Sequence, residues 1–339
     1  MKKRVELPLI EPLYKTYHHY SFTTAVLYEN PTIRNWFLSN AINLSCNRKF
    51  LSGYTTPEIF VVNAGDLRND LLEIIRYPMR FLGGHINFLI CNLLDAGYYI
   101  HFCGVDDYYV NGKTWYKERH FSHNGMICGY DREKKEYCIY AYDKNWVYKK
   151  FWTSQKGFNR GKDAMLKKGV YGDLCAVKPK AEKIEFSTNA ALKGIENYLD
   201  SDLNKYPEDG EGNVKGIVVH EYIAKYVDKL INGDIPYNKM DRRIFRLIWE
   251  HKKVMLERIE RIEEHLKISN EISDKYKSVV SEADMIRVLY ASHHMKRRDS
   301  ILPIIKNKLL RVMQHEKELL KLLLERAKEV MENETLELS

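Results

Sequence analysis

His123 and Asp143 are the two side chains whose types and spacing could do proton chemistry together. They fall in RHFSHNGMICGYDREKKEYCIYAYDKNW, residues 119–146, which reads as two strands joined by a polar turn. A five-residue turn over 131–135 sets Tyr130 opposite Glu136. Ile127 then lies opposite Ile139, Gly125 opposite Ala141 and His123 opposite Asp143, all on one face because side chains alternate with period two. A carboxylate beside an imidazole fixes its tautomer and stabilises the imidazolium, which is what a general base needs. A six-residue turn would slip the register and send one of the pair to the opposite face. The two would then be a strand-capping histidine and a surface aspartate. Spacing alone leaves both readings open.

Such a pair has to be held by neighbouring elements. NPTIRNWFLSNAINLSC opens with Asn30 as N-cap and Pro31 at the first helical position, followed by apolar residues at 33, 36, 37 and 41. GGHINFLICNLLDAG is a second helix, closed by Gly97. YYIHFCGVDDYYV follows as a strand rich in aromatic and branched residues; Asp106 and Asp107 at its end could orient a substrate amine, but read first as a solvated strand end. The turn signal Asn111-Gly112 then leads into the hairpin. A helix running into a strand and a hairpin predicts an α+β fold, not a doubly wound sheet. Near residue 181 the character changes. NAALKGIENYLDSDL and VKGIVVHEYIAKYVDKLI are helical, and DRRIFRLIWEHKKVMLERIERIEEHL carries Ile244, Leu247, Ile248, Met255, Ile259 and Ile262 on one stripe. Two further amphipathic helices complete a bundle, giving domains at 1–180 and 181–339.

Composition narrows the function classes. The chain of 339 residues is 45% apolar and 29% charged, as in globular proteins. It has no run of roughly 18 to 20 apolar residues that would make a membrane span, and no secretion signal is expected from the interrupted start MKKRVELPLIEPLY. Cys46, Cys91, Cys103, Cys128, Cys138 and Cys175 show no metal-finger spacing, which fits a reducing cytoplasm. The net charge of +8 favours acidic partners without requiring nucleic acid. The basic stretch 148–183 reads either as a solvated loop or as a docking face for an acidic protein.

GYYIHFCGVDDYYV, the HxxxxxGYD strand that follows it and the next strand ending in Asp resemble the butirosin-biosynthesis protein H N-terminal family. In particular they are similar to a branch found in nonribosomal peptide and related antibiotic gene clusters. DRRIFRLIWEHKKVMLERI resembles a helix of the same proteins, so the similarity spans most of the chain. The resemblance implies a papain-like cysteine-peptidase fold followed by a helical domain. It also implies a Cys–His–Asp acyl-transfer machine that moves an acyl group from a carrier-protein thioester to a small-molecule amine. His123 would be the base and Asp143 its orienter. The donor would carry a phosphopantetheine arm and dock on 148–183, with no metal, nucleotide, nucleic acid or membrane involved.

One part of that pattern is missing. The family's cysteine begins the first core helix, where the helix N-terminus favours a thiolate, but TYHHYSFTTAVLYENP contains none. Ser21 is the best-placed hydroxyl, followed by Thr23 and Thr24. Cys46 falls at the wrong end of the helix from Pro31, and Cys128 on the opposite face from His123. Three readings remain: Ser21 as nucleophile, direct attack of an amine activated by His123, or a catalytically silent partner of a synthetase. A peptidase is a weaker fourth. His18 and His19 with His120 and His123 lack metal-ligand spacing. Glu250-His251 lacks the second histidine of a zinc protease motif and reads as packing within the bundle.

Overall fold

The computed structural model describes residues 2–17, 22, 25–26, 31–52, 56–62, 71–180, 183–201 and 212–337. The chain divides into two compact units, Met1–Ile33 with Asp66–Lys183 and Arg34–Gly65 with Ile184–Ser339. The second boundary lies close to the expected 180/181 division. Segment 34–65, expected in the first domain, belongs to the second unit.

The first unit is α+β, built on one antiparallel sheet. Its strands are β1 (Arg4–Glu6), β2 (Leu72–Pro78), β3 (Tyr99–Asp106), β4 (Ser122–Asp131), β5 (Glu136–Tyr142), β6 (Tyr148–Ser154) and β7 (Asp173–Pro179). They are ordered β2-β7-β3-β4-β5-β6, and β1 pairs with the far half of β4. Helix α1 (Ile86–Asp95) precedes β3 and α2 (Gln155–Lys167) follows β6. As the glycine signal predicts, α1 ends just before Gly97, which takes a left-handed φ of +86°.

The hairpin differs from its expected form in one instructive way. Its turn is one residue shorter, so Tyr130 faces Tyr137 and Asp131 faces Glu136. A bulge between Ile127 and Gly129 absorbs the slip and restores Ile127 opposite Ile139. Below that point the ladder runs through Met126–Tyr140.

Two close approaches fix where β3 ends. A Cβ on Gly161 of α2 would lie 2.8 Å from the Asp106 carbonyl oxygen, and one on Gly157 would lie 2.5 Å from that of Tyr109. The glycine face of α2 therefore sits directly on the backbone that carries Asp106 and Asp107. On the sheet, Gly125 leaves space for the Phe102 ring, which packs edge-on against Phe158 of α2 at 5.1 Å. Apolar side chains of α1, α2 and the central strands close the core beneath.

The second unit is mainly helical, with a three-stranded antiparallel sheet of Leu44–Asn47 between Asn213–Lys215 and Ile59–Val61. Its helices include Thr188–Leu199, Val219–Ile231, Arg243–Leu266, Glu271–Lys296 and Leu302–Glu337. The stripe expected on Arg243–Leu266 is buried throughout. Buried Arg258 donates to the carbonyls of Leu38 and Ala41 at the end of helix Pro31–Asn40. His251 donates from Nε2 to the Ile42 carbonyl at 2.7 Å, which gives Glu250-His251 the packing role read from its sequence.

At the centre of this unit Glu316, Lys252, Tyr198, Tyr276, His220 and His251 are all fully buried. Lys252 Nζ donates to Glu316 Oε2 at 2.6 Å, Tyr198 donates to the same oxygen at 2.9 Å, and Tyr276 donates to Oε1. His220 Nε2 faces Glu316 Oε2 at 4.0 Å without a hydrogen-bond partner. Burial and the Lys252 charge hold His220 down at about 3. Burial alone would raise Glu316, but Lys252 and the two histidines outweigh it and hold the carboxyl at about 2.

Both groups take up protons more readily in the unfolded chain, from ordinary values of 6.5 and 4.5. Their stabilisation is therefore complete above pH 6.5 and is lost as pH falls toward 3 and then 2. Glu316→Gln leaves Lys252 buried without its counter-charge and is expected to cost about 3–5 kcal/mol in urea unfolding. Lys252→Met with Glu316→Leu is expected to cost less than the single change. A Glu316→Gln protein as stable as its parent would contradict this account of the second unit.

Candidate active site

The end of β3 and the start of β4 bring a carboxylate, an imidazole and an ammonium into one cluster. Asp107 follows β3 as the first residue of a 3₁₀ turn, and its backbone N–H donates to the Phe121 carbonyl at 2.9 Å. His123 lies near the start of β4 and pairs with Val105. Asp107 Oδ2 lies 2.9 Å from His123 Nδ1, and Asp107 Oδ1 lies 3.3 Å from Lys113 Nζ. Lys113 also approaches His123 Nδ1 at 3.3 Å and donates to the Asn124 carbonyl at 2.7 Å. Asp107 and Lys113 are buried, while the His123 side chain remains 25% exposed.

The shorter contact sets the tautomer. A carboxylate cannot donate, so Nδ1 carries the hydrogen toward Asp107 and the lone pair resides on Nε2. Burial pushes His123 below its ordinary value and the Lys113 charge adds to that, while the bond to Asp107 resists. Burial likewise lowers Lys113, against the pull of Asp107. The imidazole is thus held neutral and oriented near neutral pH, the state a general base requires.

A second pair repeats the motif one residue earlier. His120 Nδ1 lies 2.7 Å from Oδ2 of fully buried Asp106, whose Oδ1 accepts from the backbone N–H groups of Phe121 and Tyr108. The His120 ring stacks on Tyr108 at 4.4 Å. Asp106 and Asp107, expected as a solvated strand end, are instead buried, and each holds a histidine.

Asp143 does not take the orienting position expected of it. Its backbone forms an antiparallel bridge with Lys113, beyond the end of β5. Its Oδ1 accepts from Asn145 N at 2.8 Å and Val147 N at 2.9 Å, and its Oδ2 pairs with Lys149 at 2.8 Å. Burial would raise this carboxyl, but Lys149 and the two backbone donors outweigh it and hold it below the ordinary value. The physical reason is the segment after Gly112: it lies along the end of β5, so Asp143 closes its own turn while Asp107 reaches His123. Gly112 is required there, because a Cβ would lie 2.4 Å from the Phe151 ring. A cavity of about 390 Å³ opens beside Lys113 and Asp143, lined also by Thr114, Tyr116, Lys149 and Phe151.

Ser21, Thr23, Thr24, His18 and His19 lie outside the described residues. Cys46 is in the strand Leu44–Asn47 of the second unit, past the end of the helix, where burial pushes its thiol up to about 12. Burial also raises Cys91 and Cys175. Cys128 lies 3.6 Å from Cys138 within the sheet, and Cys103 bonds the backbone of Asp173. Among the described residues no group of three or more histidine, cysteine or acidic side chains could hold a metal ion. The sequence reading missed Lys113 altogether, and missed Asp107 as the partner of His123. The available signals were the adjacent acids ending a strand and a lysine directly after an Asn-Gly turn.

No known family model matches this chain, and no curated protein matches it.

The two carboxylates make different forecasts for one observable. Followed by NMR titration, the His123 pKa is expected to fall in Asp107→Asn, to rise in Lys113→Met and to stay unchanged in Asp143→Asn. A His123 titration that moves with Asp143 and not with Asp107 would contradict the geometry.

Proposed function

We propose that the first unit is an acyl-transfer catalyst of papain-like fold, acting on a carrier-bound thioester and an amine, with His123 as base and Asp107 as orienter. The observation that carries this reading is the bond from a partly exposed imidazole to a buried carboxylate, itself paired with a buried lysine. The cavity beside Asp143 shares Lys113 with this cluster, but neither His123 nor Asp107 lines it.

Two routes share this base. In one, Ser21 Oγ attacks the thioester carbonyl and gives its proton to His123 Nε2. The C–S bond breaks, and the thiolate leaves with that proton. The amine then attacks the acyl-serine, and its proton returns through His123 to the serine oxygen. In the other route the amine attacks the thioester directly, and His123 carries its proton to the departing sulfur.

A second reading is a binding or scaffolding partner of a synthetase built on the same fold. The position of the cysteines favours it: Cys46, Cys91, Cys128 and Cys175 are buried thiols raised by their surroundings, and Cys138, lowered by its bond from Cys128, is sealed within the sheet. None of them is poised as a thiolate.

Incubation with acyl-loaded carrier protein and candidate amines separates these readings. His123→Ala is expected to lower amide formation by about 10²- to 10⁴-fold. Ser21→Ala is expected to match that loss on the serine route and to remain fully active on the direct route. Equal turnover by wild type and His123→Ala would end the catalytic reading and leave the scaffold.

A further inference from the structure

The first unit carries an apolar and basic surface that the His123 site does not use. Segment 79–85 supplies Arg80 and Phe81, and segment 167–171 supplies Lys167, Lys168, Val170 and Tyr171. Phe81 and Tyr171 are 72% and 66% exposed, and Val170 is 38% exposed. The two segments are fastened together: Met79 N donates to the Gly172 carbonyl at 2.9 Å. The Arg80 guanidinium lies 4.6 Å above the Phe81 ring and 5.4 Å from that of Tyr171. Gly83 and Gly169 make tight turns at φ of +48° and +74°, and a Cβ on either would meet nothing within 4 Å. These turns project into open space.

Charge on this projection has one sign. No acidic residue occurs between Ile74 and Leu94 or between Ala164 and Gly172, whereas Arg76, Arg80, Lys167 and Lys168 are exposed cations. The occupant must be anionic and must accept apolar rings. A stable protein interface takes about 20–30 residues a side. The projection offers ten exposed residues across 80–85 and 167–171, namely Arg80, Phe81, Gly83 to His85 and all five of the second segment. A bilayer needs no matching contour. Aromatic rings settle at the headgroup level while neighbouring Lys and Arg meet anionic lipid.

We propose that the projection formed by 79–85 and 167–171 docks the protein reversibly on an anionic lipid surface, with Phe81 and Tyr171 entering the interface and Arg80, Lys167 and Lys168 meeting headgroups. This is contact without crossing: among the described residues no helix is long and apolar enough to span a membrane.

The test is flotation of the full chain with vesicles of phosphatidylcholine, and with vesicles in which one lipid in three is phosphatidylglycerol. Partition onto the mixed vesicles is expected to exceed that onto phosphatidylcholine by about tenfold or more, and to fall as salt is raised. Phe81→Ser with Tyr171→Ser is expected to weaken partition by about tenfold. Lys167→Glu with Lys168→Glu is expected to remove the anionic preference. All four positions are exposed, so thermal melting should be unchanged, and a retained melt separates lost docking from lost folding. Absence of partition onto mixed vesicles, or partition that neither double variant alters, would overturn the proposal. Capture of an acidic carrier protein through these residues without vesicle binding would equally overturn it and make the surface a protein contact.

Discussion

A buried carboxylate has to be matched by charge or by donors, and Asp107 meets that constraint with both Lys113 and His123. Removing it from water is costly unless each oxygen finds a partner. One oxygen takes the ammonium and the other takes the imidazole N–H. The orientation of His123 is therefore a consequence of how Asp107 is neutralised. Burial keeps the neighbouring imidazole from charging readily, and the same lysine that neutralises the carboxylate adds to that. A base that is oriented but neutral follows from three groups sharing one small volume.

The rest of the first unit serves to hold that volume in place. Glycines on α2 let the helix rest on the backbone after β3, so the two aspartates are held from beneath by packing. The bulge in the hairpin keeps β4 in register with β5 while β4 pairs with β3 on its other side. The turn at Gly112 returns the chain to bridge Asp143 and sends the Lys113 side chain inward. The second unit buries an ion pair of its own, Lys252–Glu316, beside an imidazole with no bond to its Nε2. In both units a buried lysine next to a histidine depends on a single acid.

Much of the architecture could be read from the chain. Periodicity located the amphipathic helices, Gly97 marked the end of α1, and alternation together with turn residues located the hairpin. His123 stood out as a strand-edge imidazole. The identity of its partner did not, because spacing along one hairpin measures only local pairing. Asp107 lies 16 positions away on a different strand connection, and its contact depends on β3 pairing with β4, which no local pattern specifies. Burial of Asp106 and Asp107 was hidden for a related reason: two adjacent acids at a strand end ordinarily face water, and here the glycine face of α2 packs on their backbone while segment 113–123 supplies partners to their carboxylates. Segment 34–65 joins the second unit because its short strands complete a sheet with Asn213–Lys215, far along the chain, which local pattern does not reveal.

The most direct test of the central claim is the tautomer of His123, read from the nitrogen chemical shifts of its labelled imidazole at neutral pH. An Asp107-held base predicts a protonated Nδ1 and a bare Nε2. A bare Nδ1 with the hydrogen on Nε2 would mean that Asp107 is not its hydrogen-bond partner, and the account of the site would fail.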